Sequence, residues 1–313
     1  MRLLITPPEA CSLWEKVQNR VDSSIQTILT YGQIVNAQEL GKLLMDVDAV
    51  ILGIEKINDT VLNGAGSLKV ISRFGVGCDA IDMEVLKKKR IRLTNTPGAM
   101  ASGVARHTMA FILAICFHMK EHFENLQQGR WSRKPNHSCF GTRLGVVGMG
   151  SIGKEVAKLA FNFGFKVTGF NRSPFQAEGV ERASSLKELI QKSDIISLHL
   201  PLTPETRGLV SKEVVEWLHG KYLINMSRGL VVEEEELLTS LNAGGLQCYA
   251  TDVFTNEPIA GMSLALTRHP KVLATPHVAA MDPDTALKML EQSLNNVLNC
   301  LKGEHQGVHA YVV

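Results

Sequence analysis

Gly148, Gly150 and Gly153 stand in GxGxxG spacing within LGVVGMGSIGKEVAKLAFNFGFKVTGFNRS. An apolar run precedes them, and a helical stripe of Ile152, Val156, Leu159, Ala160 and Phe163 follows. That setting, between a strand and a helix, turns a weak motif into a phosphate cradle. Gly148 permits the tight turn, Gly150 lets the backbone approach a pyrophosphate, and Gly153 allows close packing of helix on strand. The first amides of the helix, at Ser151 and Ile152, face the negative charge. The chemistry these residues suit is dinucleotide binding. About 20 residues beyond the glycines, NAD-binding sequences carry an Asp or Glu for the ribose hydroxyls. This chain has Asn171 there, followed by Arg172 and Ser173. No carboxylate repels a 2′-phosphate, and a cation and a hydroxyl suit one. The pattern predicts NADP(H) in preference to NAD(H), with NAD still usable.

The elements that must hold this loop follow from hydropathy. Strands are expected at 144–147, 166–170, 195–198, 222–225, 247–251 and 272–274, separated by helices, which makes a doubly wound unit. The first hundred residues alternate in the same way, with strands at 2–6, 25–29, 49–54, 69–74 and 92–94. Helices are expected at a capping box formed by Ser12 and Glu15, around 38–45 and over 82–89. A single long helical pattern runs from Ala101 to about Gln128 and joins the two sets. A closing helix runs from Asp284 to about Leu301 and ends before Gly303. Regular alternation implies two parallel sheets, each covered on both faces.

Composition narrows the partners. The 313 residues are 45% hydrophobic, 20% charged and 6% aromatic, and 33 basic against 31 acidic side chains leave a net charge of +2. Such balance points to a small-molecule partner, not to nucleic acid or an anionic membrane. The longest apolar run, Ala110 to Phe117, falls far short of the roughly 20 residues that span a bilayer. MRLLITPPEACS lacks the apolar region of a signal peptide. Six scattered cysteines read as reduced thiols, so a cytoplasmic protein is expected. His107, His118 and His122 lack a third ligand at motif spacing and are read as structural or solvated; no metal site is expected. The run Lys87 to Arg90 closes a helix, where cations complement the dipole.

The sequence resembles the D-isomer-specific 2-hydroxyacid dehydrogenases over nearly its whole length. The resemblance rests on RFGVGCDAID (Arg73 to Asp82), TNTPGAMASGVARHTMAFILAI (Thr94 to Ile115) and the glycine motif. It continues through SDIISLHLPLTPETRGLV (Ser193 to Val210), INMSRGLVVEEEEL (Ile224 to Leu237), ATDVFTNEP (Ala250 to Pro258) and TPHVAA (Thr275 to Ala280). It implies a Rossmann dinucleotide-binding domain, residues 100–281, inserted into a flavodoxin-like substrate domain formed by 1–99 and 282–313. The family's catalytic arginine, glutamate and histidine fall on Arg228, Glu257 and His277. His277 would donate the proton to the nascent alkoxide, Glu257 would favour its imidazolium, and Arg228 would grip carboxylate and carbonyl with a planar fork. The backbone at Val76 and Gly77 would hold the substrate carboxylate. Asp252 would bind the nicotinamide carboxamide, and Thr108, Pro201, Thr206 and Met226 would touch the cofactor. A homodimer is what the family suggests.

Two departures stand out. Arg106 replaces a glutamate common in relatives. ILGIEKI (Ile51 to Ile57) lacks the arginine that phosphoglycerate dehydrogenases carry nearby for the substrate phosphate. The expected activity is reduction of a small 2-oxo acid such as glyoxylate or hydroxypyruvate. Phosphoglycerate oxidation, and a dinucleotide-dependent interaction protein like the C-terminal-binding-protein corepressors, are the alternatives.

Overall fold

The computed structural model of the chain describes residues 1–34 and 36–304; positions 305–313 of the expected substrate domain lie outside the described residues. The chain divides into two compact units, one made of Met1–Met100 with the segment from Ala280 onward, the other of Ala101–Ala279.

The first unit is a five-stranded parallel sheet of β1 (Arg2–Ile5), β2 (Gln26–Leu29), β3 (Ala49–Leu52), β4 (Val70–Arg73) and β5 (Arg92–Thr94). Its order is β2-β1-β3-β4-β5, the flavodoxin-like arrangement. All four residues of β3, AVIL, are buried, as a parallel strand covered on both faces requires. The helix Pro283–Lys302 covers one face: Ala286, Met289, Leu290, Leu294 and Val297 pack with Leu3, Ile5, Ile51 and Val70. Each such side chain contributes about 1.5–3 kcal/mol by leaving water. Asp282 starts this helix by accepting from the Thr285 amide, and Gly303, at φ 76°, ends it.

The second unit holds β6 (Arg143–Val147), β7 (Lys166–Phe170), β8 (Val180–Arg182), β9 (Ile195–Leu198), β10 (Tyr222–Asn225), β11 (Cys248–Thr251) and β12 (Val272–Ala274). The order is β12-β11-β10-β9-β6-β7-β8, all parallel. The chain reverses its direction of winding between β6 and β9, the switch point at which such sheets bind ligands beyond their carboxyl ends.

Three local expectations are corrected. Ser12 and Glu15 do not open a helix. Pro8 occupies the first helical position, so the helix Pro8–Ser12 starts earlier; two 3₁₀ turns, Trp14–Lys16 and Gln18–Arg20, follow. The Ser12 hydroxyl instead donates back to the Pro8 carbonyl at 2.9 Å. The long helix is two, Ala101–Cys116 and Met119–Gln127, because His118 at φ 46° cannot continue a right-handed helix. The His137 amide takes up the Cys116 carbonyl at the break. The second sheet has a seventh strand, β8, whose three residues are half-buried or exposed and carry no apolar alternation to reveal it.

Candidate active site

β6 runs into the glycine loop, and helix Ser151–Asn162 leaves it with Gly150 at the N-cap. Gly148 has φ 94°, and a Cβ there would lie 2.3 Å from the His199 carbonyl oxygen; a Cβ on Gly153 would lie 1.9 Å from the Gly148 oxygen. Both positions therefore admit only glycine, one for the turn and one for helix-to-strand contact. A Cβ on Gly150 would meet nothing. The helix has no side-chain cap, and among the described residues nothing accepts from the amides of Gly150, Ser151, Ile152 and Gly153. Four amides without an acceptor, beside a residue with no side chain, fit a pyrophosphate. Asn171, one residue beyond β7, braces this loop: its Oδ1 accepts from the Met149 amide at 3.4 Å and its Nδ2 donates to the Ser173 carbonyl. Arg172 and Ser173 are exposed, and the Arg172 charge reaches Glu205, whose acid is held low chiefly by the Thr203 hydroxyl.

The carboxyl ends of β9 and β10 bring further residues alongside. The Thr206 hydroxyl donates to the Pro201 carbonyl at 2.6 Å, and the Met226 amide donates to Leu198. Beyond Met226, the Ser227 amide donates to Asn225 Oδ1 and Asn225 Nδ2 donates to the Arg228 carbonyl, which shapes the turn that presents Arg228. A Cβ on Gly229 would fall 1.9 Å from the Phe254 carbonyl carbon. This close approach seats the Arg228 turn directly on the loop that carries Glu257.

Glu257 accepts from the Phe254 amide with Oε1 (2.8 Å) and meets His277 Nδ1 with Oε2 (2.6 Å). Burial alone would push its acid up. The His277 hydrogen bond and charge, the Phe254 amide and the Arg228 charge outweigh burial and hold it below the usual carboxylate range. Arg228, Glu257 and His277, 49 residues apart along the chain at their extremes, are thus brought together within one unit. His277 sits at φ 54°, unusual for a residue with a side chain.

Asp252 secures that conformation. It is 1% exposed and accepts from the Thr275 hydroxyl (2.5 Å), the Val278 amide (2.9 Å) and the Ala279 amide (2.9 Å), three donors flanking His277. The resemblance assigned this carboxylate to the nicotinamide; in the structure it also ties the histidine loop together. Because Thr275 donates to Asp252, it must accept from His107 Nε2 at 3.0 Å, which fixes the His107 tautomer. His107, read from sequence as structural or solvated, is therefore the outer support of this loop. Thr108 is fully buried, and its hydroxyl donates to the Val104 carbonyl in its own helix at 2.7 Å.

Val76 and Gly77 lie in the first unit, in the loop after β4. Arg73 donates through Nε to the Gly77 carbonyl (2.9 Å) and through Nη1 to those of Phe74 (2.5 Å) and Leu52 (3.3 Å). Asn95 Nδ2 donates to the Val76 carbonyl (3.0 Å), and Thr96 exchanges both hydrogen bonds with Gly75. Every carbonyl from 74 to 77 is tied down, while among the described residues nothing accepts from the amides of Val76 and Gly77. Two free amides over a guanidinium suit a carboxylate. Arg73, Asn95 and Thr96 were not singled out from sequence; the arginine at the head of RFGVG was the available signal.

A parallel sheet with a glycine cradle at its switch point and an Arg, Glu and His group at neighbouring strand ends defines a Rossmann-type oxidoreductase. The NAD binding domain of the D-isomer specific 2-hydroxyacid dehydrogenases matches residues 109–279. A hydroxypyruvate reductase of Thermotoga maritima is 34% identical over 247 residues, 77% of this chain and 81% of the relative. A glyoxylate reductase of Thermofilum pendens is 35% identical over 280 residues, 85% and 82% of the two chains. The crystal structure of D-lactate dehydrogenase from Aquifex aeolicus complexed with NAD and lactic acid has a TM-score of 0.85 at 27% identity, covering 100% of this chain and 99% of that one. D-3-phosphoglycerate dehydrogenases also match, and this chain spans about half their length. The chain belongs to the D-isomer-specific 2-hydroxyacid dehydrogenase family. It is an oxidoreductase of hydride transfer on 2-hydroxy acids.

Proposed function

We propose that the protein reduces a short, unphosphorylated 2-oxo acid, of the glyoxylate or hydroxypyruvate type, using NADPH in preference to NADH. The observation that carries this reading is the 2.6 Å contact of His277 Nδ1 with Glu257 in a loop clamped by Asp252. Glu257 holds the Nδ1 proton, so the proton that can leave the imidazolium is on Nε2, and His277 delivers it to the carbonyl oxygen. Arg228 aligns the substrate and polarises its carbonyl. The bound nicotinamide supplies the hydride. Gly150, Ser151, Ile152 and Gly153 hold its pyrophosphate.

The missing arginine in ILGIEKI supports an unphosphorylated substrate, since a phosphate dianion needs paired cations. Asn171, Arg172 and Ser173 support NADPH. A panel of 2-oxo acids with each cofactor, followed at the nicotinamide absorbance, tests both. The expected outcome is a higher kcat/KM with NADPH, lowered about tenfold by Arg172→Ala, and hydroxypyruvate well ahead of 3-phosphohydroxypyruvate. Higher kcat/KM with NADH, or with the phosphorylated acid, overturns the corresponding half. His277→Ala should lower kcat by about 10²-fold or more with dinucleotide binding retained.

A homodimer is supported by an exposed apolar face on the second unit, where Phe123, Leu126, Trp131 and Phe140 are more than half exposed. Light scattering that reads a monomer overturns it. Six free cysteines support a reducing, cytoplasmic setting. No helix among the described residues is long and apolar enough to cross a membrane.

A further inference from the structure

His107 stands outside the group of Arg228, Glu257 and His277, yet it ends a chain of contacts that reaches the histidine loop. It lies in the helix Ala101–Cys116, with its ring edge-on to Phe111 and 5.0 Å between the ring centroids. Its Nε2 is 3.0 Å from the Thr275 hydroxyl, which is 2.5 Å from Asp252 Oδ1. The three donors on Asp252 differ in kind. The hydrogens of the Val278 and Ala279 amides are fixed by the backbone, whereas a hydroxyl hydrogen turns about its C–O bond. The Thr275 link is therefore only as well directed as the group that faces the other side of its oxygen. That group is His107, whose Nε2 proton is kept when the ring is charged as well as when it is neutral.

Thr275 is held a second time by its carbonyl, which accepts from the His277 amide at 3.0 Å. Between Thr275 and Val278 the chain turns through His277 at φ 54°, a strained conformation that persists only where its surroundings fix it. We infer that His107 is a positioning residue: by donating to Thr275 it aims that hydroxyl at Asp252 and so keeps His277 against Glu257. The inference rests on the proposed 2-oxo acid reduction with His277 as proton donor, and adds to it a residue that touches neither substrate nor dinucleotide. With the Thr275 hydroxyl free to turn, Asp252 loses one of its three donors and the turn relaxes. His277 Nδ1 then leaves its 2.6 Å contact with Glu257, so the imidazolium loses the partner that favours it. The loss falls on proton delivery and leaves binding intact.

The test compares His107→Phe, which keeps a ring beside Phe111 but removes the donor, with His107→Gln, whose amide can still donate to Thr275. Hydroxypyruvate and glyoxylate are the substrates, and urea melts check that each protein is folded. His107→Phe is expected to lower kcat about tenfold, with KM and the dinucleotide Kd within about twofold of wild type. The alkaline limb of its kcat/KM profile should move to lower pH, a change that a general loss of packing would not produce. His107→Gln should recover kcat to within about threefold of wild type. In Thr275→Val the hydroxyl is already gone, so adding His107→Phe should lower kcat by less than about twofold more. Wild-type kcat and pH profile in His107→Phe, a His107→Gln as slow as His107→Phe, or losses that multiply in the double variant overturn the assignment of His107. A wild type that reduces neither acid overturns the reaction on which it rests.

Discussion

Two loops in this protein present main-chain amides, and they are built in opposite ways. In the second unit the amides of Gly150 to Gly153 are free because a helix begins there, and any helix start leaves its first amides unpaired. What makes the place usable is the absence of side chains: Gly148 and Gly153 are forced by backbone contacts of 2.3 and 1.9 Å, and Gly150 is open. In the first unit the amides of Val76 and Gly77 belong to no helix. They face away from the loop because Arg73, Asn95 and Thr96 hold its carbonyls. One cradle is made by removing atoms, the other by adding side chains from distant positions. A steric requirement leaves a mark in local sequence, whereas a hydrogen-bond requirement can be met by many residues from many places.

The largest effect separating the two is expected at Gly153. Gly153→Ala drives a methyl into the Gly148 carbonyl and should destabilise the second unit by more than about 2 kcal/mol, read as a lower urea midpoint, with dinucleotide binding lost. Gly150→Ala should leave the midpoint within about 1 kcal/mol of wild type while weakening dinucleotide binding at least about tenfold, measured by nicotinamide fluorescence. Equal stability loss in both would remove the distinction between the packed glycines and the open one.

Next comes the side-chain cradle. Arg73→Ala frees three carbonyls at once, so KM for a 2-oxo acid should rise about tenfold or more while the dinucleotide Kd stays as in wild type. Arg73→Lys should not restore it, since one ammonium cannot reach the carbonyls of Leu52, Phe74 and Gly77 as the fork does. An unchanged KM in both variants would show that the amides hold their orientation without the guanidinium.

The smallest effect is the behaviour of the glycine turn in acid. His199 follows β9, its carbonyl abuts Gly148, and burial pushes its imidazole down to about 3, with Ser197 bonded to Nε2. A histidine with a depressed folded value is neutral in the native state and takes a proton on unfolding, so stability must fall as pH drops below about 6.5. Between pH 6.5 and 5, before carboxylates titrate, the slope contributed by one such proton is at most about 1.4 kcal/mol per pH unit. Urea melts of wild type and His199→Phe should differ by that slope; parallel profiles would mean that His199 is solvated in the native state. Arg73 and its loop contain no such group, so the substrate side should lack this dependence.

Much of the architecture was legible along the chain. A strand such as AVIL at 49–52 is a continuous apolar run because both faces of a parallel sheet are covered, and it lies where hydropathy placed it. β8 was not legible, since an edge strand of three half-exposed residues has no such run. The Ser12 and Glu15 pair had the pattern of a helix start, but Pro8 had already set the helix one turn earlier. The order of MSRG, NEP and TPH named the three candidate groups; it carried no information on the contacts between them.

Those contacts are what tertiary structure alone decided. Sequence determined the glycine turn, the alternation of strand and helix, and the residue types available at the strand ends, because these follow from backbone sterics and burial over a few residues. It did not determine that Asp252 would accept from three donors of the histidine loop, or that His107 would support Thr275 from a separate helix. An acceptor can be satisfied by any donor within reach, and which donors are within reach is known only once segments far apart in sequence have been packed together.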